Sequence, residues 1–294
     1  MDMPKLYRYR PFRENPGLEF SFPAHEIQWQ QELYDELIVP VSPITFNDPY
    51  DCDIVVEKSF LNEKWYREMV IEAVNQWMPL SEQEKKSFYT ASDLKAAIES
   101  VLCESLPSTL ISKVYRDVSD IFHDIKDDLR VACFSETNKS ILMWSHYAEN
   151  HTGFCIEYDF NQSSLRNLKK RFHPVDYSED RYFISGSFAN GDNESANQAI
   201  YEAPFHKSSI WNYEQEWRMV FHKKELHGFS SNGKYNYVSA QDCITAVYLG
   251  TKAPIEKCKE ICAHYEGSTV KVYHMRMHSD CYKLEPEELN SSNF

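Results

Sequence analysis

The sequence predicts an α+β fold built mostly of antiparallel strands, and three observations carry that prediction. Short apolar or alternating runs of strand length outnumber helical patterns over most of the chain. The connections between them vary in length, where a parallel sheet would repeat a strand–helix–strand period. One block, about 61–129, switches to helical periodicity and reads as an all-helical insertion. The 294 residues, 42% hydrophobic, suffice for a packed core, so 1–294 reads as a single domain carrying that insertion.

Taken in order, residues 5–9 read as a first strand, 25–37 as a helix, and Leu37 to Val41 as a second strand followed by the turn Asn47-Asp48-Pro49. In the insertion, Trp65, Met69, Ala73 and Trp77 recur every four residues on one helix face. Ser81-Glu82-Gln83-Glu84 fits a capping box. Behind a cap at Ser108, the residues Ile111, Val114, Val118, Ile121, Ile125 and Leu129 form an amphipathic stripe. A strand at 131–135, a helix at 139–149 and a strand from Gly153 to Phe160 follow. Residues 161–200 are loop-rich, with turn chemistry at Ser185-Gly186-Ser187 and Asn190-Gly191-Asp192-Asn193. Residues 211–222 read as one long strand and 223–236 as a polar loop. Ile244 to Gly250 (strand), a helix near 254–265 and Thr269 to Met275 (strand) complete the chain.

Composition excludes several classes. With 31 basic and 45 acidic residues the net charge is −14, which argues against coating nucleic acid by bulk electrostatics, though not against a local basic groove. No run approaches the roughly 18 apolar residues of a membrane span, and Met1-Asp2-Met3-Pro4-Lys5 lacks the apolar stretch of a signal peptide. Eight cysteines without a CxxC pair fit a reduced, cytoplasmic protein. There is no Gly-rich phosphate loop, nucleophile elbow or HExxH, and with only 8 glycines any nucleotide must be held another way. No metal site is expected: His146 and His151 are not at zinc spacing, and Cys258, Cys262 and His264 lack a fourth partner.

Four groups of residues can carry chemistry. On a strand at 211–222, alternation puts Asn212, Glu214, Glu216, Arg218 and Val220 on one face and Trp211, Tyr213, Gln215, Trp217, Met219 and Phe221 on the other. The charged row is either a solvated sheet face or part of a functional cleft, and the flanking aromatics favour the cleft. On the helix at 139–149, Ser140, Trp144, Tyr147 and His151 form one stripe, which either lines a pocket or packs in the core. Arg8 and Arg10 share a face of the first strand and can fork onto phosphate or carboxylate, unless the strand is a solvent-facing edge. Asn47-Asp48-Pro49-Tyr50-Asp51 is a turn by its chemistry; with Asp53 and Glu57 it also offers hard oxygen ligands for Mg²⁺.

Phe46-Asn47-Asp48-Pro49, Cys133-Phe134-Ser135, the run Met143 to Ala148, the run His151 to Tyr158, and Trp211-x-Tyr213-Glu214-x-Glu216-x-Arg218 together resemble a widespread bacterial family of unknown function. The order of elements is more distantly similar to the ADP-ribosyltransferase fold of bacterial toxins and poly-ADP-ribose polymerases. That resemblance implies split, mostly antiparallel β-sheets and three motifs. Tyr7 and Arg8 on the first strand would be the first, with Arg8 binding the ribose or pyrophosphate of NAD. Ser135, leading into a helix with Ser140 and Tyr147, would be the second. Tyr147 would stack on nicotinamide, Ser135 and Ser140 would bond its amide or the ribose, and Trp144 and Asn47 would join the cofactor-binding set. Glu216 would be the catalytic carboxylate of the third, with Glu214 orienting or activating the acceptor. The departures are the missing His of the first motif, the large insertion, and a Trp-Ser-His-Tyr run with no counterpart in the motifs.

What the resemblance implies is an NAD-dependent mono-ADP-ribosyltransferase, a toxin or phage-defence effector that uses NAD as substrate and modifies nucleic acid or protein, with an antitoxin as a further partner. Two other readings stay open. A divalent-metal nuclease or hydrolase would use Asp48, Asp51, Asp53, Glu157, Glu214 and Glu216. A non-catalytic sensor would bind a small molecule or peptide in an aromatic cleft.

Overall fold

The computed structural model describes residues 3–12, 29–56, 108–161, 166–184, 193–226 and 237–290, with a few positions between 64 and 71 and at 292 and 294. The start of the first predicted helix at 25–28, Glu57, the Trp65–Trp77 stripe, the 81–84 capping box and the turns at 185–187 and 190–192 lie outside the described residues, apart from isolated backbone positions. Contacts group the chain into two compact units. One comprises Met1–Asp51, Asp127–Glu179 and Lys207–Phe294; the other comprises Cys52–Lys126 and Asp180–His206.

The first unit is a mixed α/β body around one large, mostly antiparallel sheet of eight strands. In chain order these are β1 (Leu6–Arg10), β2 (Leu129–Ser135), β3 (Phe154–Tyr158), β4 (Phe172–Pro174), β5 (Glu216–His222), β6 (Ile244–Leu249), β7 (Lys271–Met277) and β8 (Leu284–Leu289). Their spatial order is β8-β7-β6-β3-β1-β2-β5-β4, and only β6 and β7 run parallel. Every residue of β3 is buried, and all but Glu157 are apolar or aromatic.

The sheet has a seam. β1 pairs with β3 along its whole length, Leu6 to Arg10 against Tyr158 to Phe154. On its other side it meets β2 at one registered pair, Tyr7 opposite Ser135. Beyond that pair the strands part, and the free edge of β2 is taken by Val41, whose N–H and C=O both bond Val131. β2 then pairs with β5 over seven positions, from Glu216–Ser135 to His222–Leu129.

Each face of the sheet is covered. Leu6, Phe134, Phe154, Ile156, Met219 and Phe221 pack with Trp29 and Leu33 of helix α1 (Trp29–Leu33) and with Cys258 and Ile261 of the helix Ile255–His264. On the opposite face Tyr9, Cys155, Ala246 and Tyr248 pack with Met143, Trp144 and Ala148. Met143 and Trp144 belong to helix α2 (Ile141–Tyr147), which Ser140 caps by accepting a hydrogen bond from the Met143 amide at 3.3 Å. The helix leaves through Glu149, Asn150 and His151, all at positive φ, and Gly153 then passes so near Arg10 that a Cβ would lie 2.2 Å from its carbonyl oxygen.

The second unit pairs Val55–Val56 in parallel with Phe183–Ile184. It contains most of the helix Ser108–Asp128, predicted from its apolar stripe. Of the stripe's described side chains Ile121 is exposed, Ile125 is half-buried and Leu129 is buried, and Phe122, outside the stripe, is buried as well. Among the described residues no helix is long and apolar enough to cross a membrane.

One expectation is overturned. Residues 211–214 are not strand: Ser209–Glu214 forms a 3₁₀ helix, Gln215 is left-handed at φ 45°, and the strand begins at Glu216. Both faces of that strand are also buried, so the charged row is not a solvated face.

Candidate active site

Where β1 and β2 part, a cavity of about 190 Å³ opens. Tyr7, Arg8, Tyr9 and Arg10 of β1 line one wall and Val131, Cys133, Phe134 and Ser135 of β2 the other. The segment Val41–Asp51 contributes Val41, Phe46, Asn47 and Asp51, and α2 contributes Met143 and Tyr147. Lys207, Glu214 and Glu216 complete it. That volume is below the roughly 300–1,000 Å³ of pockets for drug-sized ligands, so it suits a small ligand or one part of a larger one.

The register explains why these residues meet. Tyr7 lies opposite Ser135, and Ser135 opposite Glu216, so the three form one cross-strand row on the same face. Glu157 of β3 extends the row, opposite Tyr7. Its carboxylate accepts from Lys5 Nζ (2.6 Å), Thr245 Oγ1 (2.7 Å), Tyr248 OH (2.8 Å) and Tyr7 OH (3.0 Å). Ser135 Oγ donates to the Glu214 carbonyl at 2.6 Å, which ties the 3₁₀ helix to the row.

Beside the row lies a buried charge cluster of three carboxylates and two cations. The Arg218 guanidinium, fully buried, forks onto Asp51 with two bonds of 2.7 Å and onto Glu216 at 3.0 and 2.9 Å. Lys207 Nζ sits 2.5 Å from Glu214 Oε2, 3.2 Å from Glu216 Oε2 and 3.3 Å from Asp51 Oδ2. Tyr147 OH donates to the other Glu214 oxygen at 2.6 Å, and the Tyr177 hydroxyl accepts from the Glu216 amide at 2.9 Å. The ring of Trp211 lies 5.2 Å from Lys207 Nζ, and that of Phe46 5.8 Å from the Arg218 guanidinium carbon.

These surroundings push the two glutamates apart in acidity. Burial raises Glu214 above the ordinary carboxylate range, and the nearby Lys207 ammonium offsets that only in part. Burial acts on Glu216 too, but Arg218 and Lys207 together outweigh it and hold its carboxyl below that range. One carboxylate is therefore poised to take a proton while its neighbour stays charged. Tyr147 is held far above its normal pKa, by burial first and then by Glu214, so its hydroxyl remains a donor.

Of the residues singled out from sequence, Tyr7, Arg8, Asn47, Ser135, Tyr147, Glu214 and Glu216 line the cavity. Arg8 also stands 3.0 Å from Glu32 and donates to the Val39 carbonyl at 3.3 Å; its Nη1 has no well-aligned acceptor. Ser140 and Trp144 are corrections. Ser140 is spent on the helix cap, and Trp144 is fully buried in the core with its indole N–H on the Asn138 carbonyl at 2.8 Å. Glu214 and Glu216 do converge, but through the turn at Gln215 rather than through strand alternation. Lys207 was missed: a single lysine preceding the motif has no pattern of its own. Asp51, read as a turn residue, proves to be the Arg218 partner. Among the described residues no group of three or more His, Cys, Asp or Glu is arranged to hold a metal ion.

A family model described as a protein of unknown function (DUF2971) matches residues 143–219, which span α2, β3, β4, Lys207 and the two glutamates. That is in line with the family of unknown function expected from the motifs. No curated protein and no solved structure matches the chain.

Proposed function

We propose that the protein is an NAD-dependent mono-ADP-ribosyltransferase, with the cavity at the seam as its nicotinamide–ribose site. One observation carries this reading: the first-strand tyrosine, the second-strand serine and the third-motif glutamate lie in a single row across adjacent strands, at the mouth of the gap. The order of the motifs along the chain is what the resemblance to the ADP-ribosyltransferase fold leads one to expect. Residue roles follow from the chemistry. Tyr7, Tyr9 and Tyr147 supply ring surfaces for nicotinamide, and Ser135 and Asn47 supply polar edges. Arg8, which lines the cavity while ion-paired with Glu32, is the cation that the resemblance assigns to ribose or phosphate oxygen.

In the reaction the bond between ribose C1′ and nicotinamide nitrogen breaks. Nicotinamide leaves with the bonding pair, and positive charge develops on the ribose ring, as in glycoside cleavage. The charged Glu216 stabilises that cation and accepts a hydrogen bond from the 2′-hydroxyl. The acceptor nucleophile then bonds to C1′ from the opposite side, and its proton passes to Glu214. The acceptor is a nucleic acid or a protein, and an effector of this kind fits a toxin or phage-defence role with an antitoxin partner. The metal-dependent reading is less favoured, because the cations between Asp51, Glu214 and Glu216 are the protein's own Lys207 and Arg218.

The test is direct. NAD should raise the melting temperature in proportion to its saturation, and incubation with NAD and a cell extract should release nicotinamide and label an acceptor. Neither stabilisation nor nicotinamide release would end the proposal. A pH series separates the two glutamates. Glu214 is raised, so transfer to the acceptor should fall first as pH drops, at a pH above the ordinary Glu value of about 4.3. Nicotinamide release by hydrolysis depends on Glu216, which is lowered, and should persist to a lower pH. Coincident acid limbs would contradict that division of labour.

A further inference from the structure

Lys207 is the member of the cluster that the reading above leaves without a task. It is 6% exposed, and its ammonium sits between three carboxylates from two segments: Asp51 from one, Glu214 and Glu216 from the other. Arg218 already gives Asp51 a bidentate partner and Glu216 a second one, but its single positive charge offsets only one of those two carboxylates. Among the described residues Glu214 has no other cation within ion-pair distance, and its second oxygen accepts from the neutral Tyr147 hydroxyl. Without the lysine, the cluster would hold three carboxylates against one guanidinium, in surroundings where each unpaired charge is costly.

We propose that Lys207 is a positioning residue of this site: its ammonium bridges Glu214 and Glu216, holds the two carboxylates side by side against their repulsion, and keeps each in the protonation state its step requires. The inference rests on the transferase reading for what those steps are, but not for the electrostatics. Two carboxylates that approach a single cation can remain close; deprived of it, they share a proton or swing apart. The other titratable and charged groups facing them are Asp51 from the loop, Cys133 of β2, Arg218 of β5, Tyr147 of α2, and Tyr177 and Tyr213. Among these only Arg218 is a cation, and it does not reach Glu214 within ion-pair distance. Lys207 also lines the cavity, so its removal is felt where substrate would sit.

The experiment compares wild type with Lys207→Met and Lys207→Arg by two readouts. The first needs no ligand: carboxyl titration by ¹³C NMR of glutamate-labelled protein, with Glu214 and Glu216 assigned from their Gln variants. In Lys207→Met both carboxyl midpoints should rise by about one unit or more, and Lys207→Arg should return them toward wild type. Midpoints unchanged in Lys207→Met would overturn the proposal. The second readout is nicotinamide release from NAD. Lys207→Met should lose about tenfold at neutral pH and move the acid limb upward, and arginine should recover most of both. Loss of activity that arginine does not recover, with an unmoved acid limb, counts against it. If the carboxyls shift as expected while no form of the protein cleaves NAD, the transferase reading falls and the bridging role stands. Should Lys207→Met fail to fold, Lys207→Met with Glu214→Gln restores the charge balance. There the Glu216 midpoint should exceed the wild-type value, and an unchanged midpoint overturns the proposal.

Discussion

Glu216→Gln should lower nicotinamide release by about 10²–10⁴-fold while leaving NAD binding within a few-fold of wild type. The amide has the shape of the carboxylate but not its charge, and the charge is what a developing oxocarbenium ion meets. Geometry argues that the substitution is tolerated: Arg218 keeps its two bonds to Asp51, and Lys207 keeps Glu214 and Asp51. The loss should therefore appear in kcat and not in the melting temperature alone. Single-turnover assays at saturating NAD would check this, and wild-type turnover in the Gln variant would remove Glu216 from the mechanism.

The second large effect is on stability. Arg218→Leu should cost about 3–5 kcal/mol, because it removes the guanidinium that pairs with the buried carboxylates of Asp51 and Glu216. Urea unfolding followed by tryptophan fluorescence would measure it. A cost under about 1 kcal/mol would mean that water reaches the carboxylates, contrary to their burial. The pH dependence has a definite sign. The folded-state pKa of Glu216 is held below its unfolded value, so its charge contributes stability above the ordinary carboxylate range, and that contribution fades as pH falls through the folded value. In Arg218→Leu much of that acid-side slope should disappear.

How far the sequence foretold this depends on which residues burial constrains. β1, β2, β3 and β6 are central strands whose apolar or alternating runs leave few alternatives, and each lies within a few residues of its expected span. β8, Leu-Glu-Pro-Glu-Glu-Leu, was not foreseen, because an edge strand faces solvent and tolerates proline and charge. The segment 209–214 imitates a strand through its spaced aromatics; the left-handed Gln215 that breaks it is neither Gly nor Asn and gives no warning. At the site, residues on paired strands were legible because alternation places them. Asp51 was not, since its partners Lys207 and Arg218 lie far along the chain. Lys207 was not, since it meets Glu214 and Glu216 across an irregular turn that no helix or strand period records. Trp144 shares the helix stripe with Tyr147, yet spacing alone cannot say which ring faces the cavity and which the core.

The lone Tyr7–Ser135 rung has a consequence for cooperativity. A ladder transmits order from strand to strand through successive bonds, and here that transmission narrows to one pair between the β8-β7-β6-β3-β1 wing and the β2-β5-β4 wing. Amide hydrogens in the two wings should accordingly exchange with different opening free energies, as separately melting blocks. A molecule lodged in the gap and bonded to both walls would act as additional rungs. Exchange in the two wings would then slow together, and the sheet would come to open as one block only when the gap is filled.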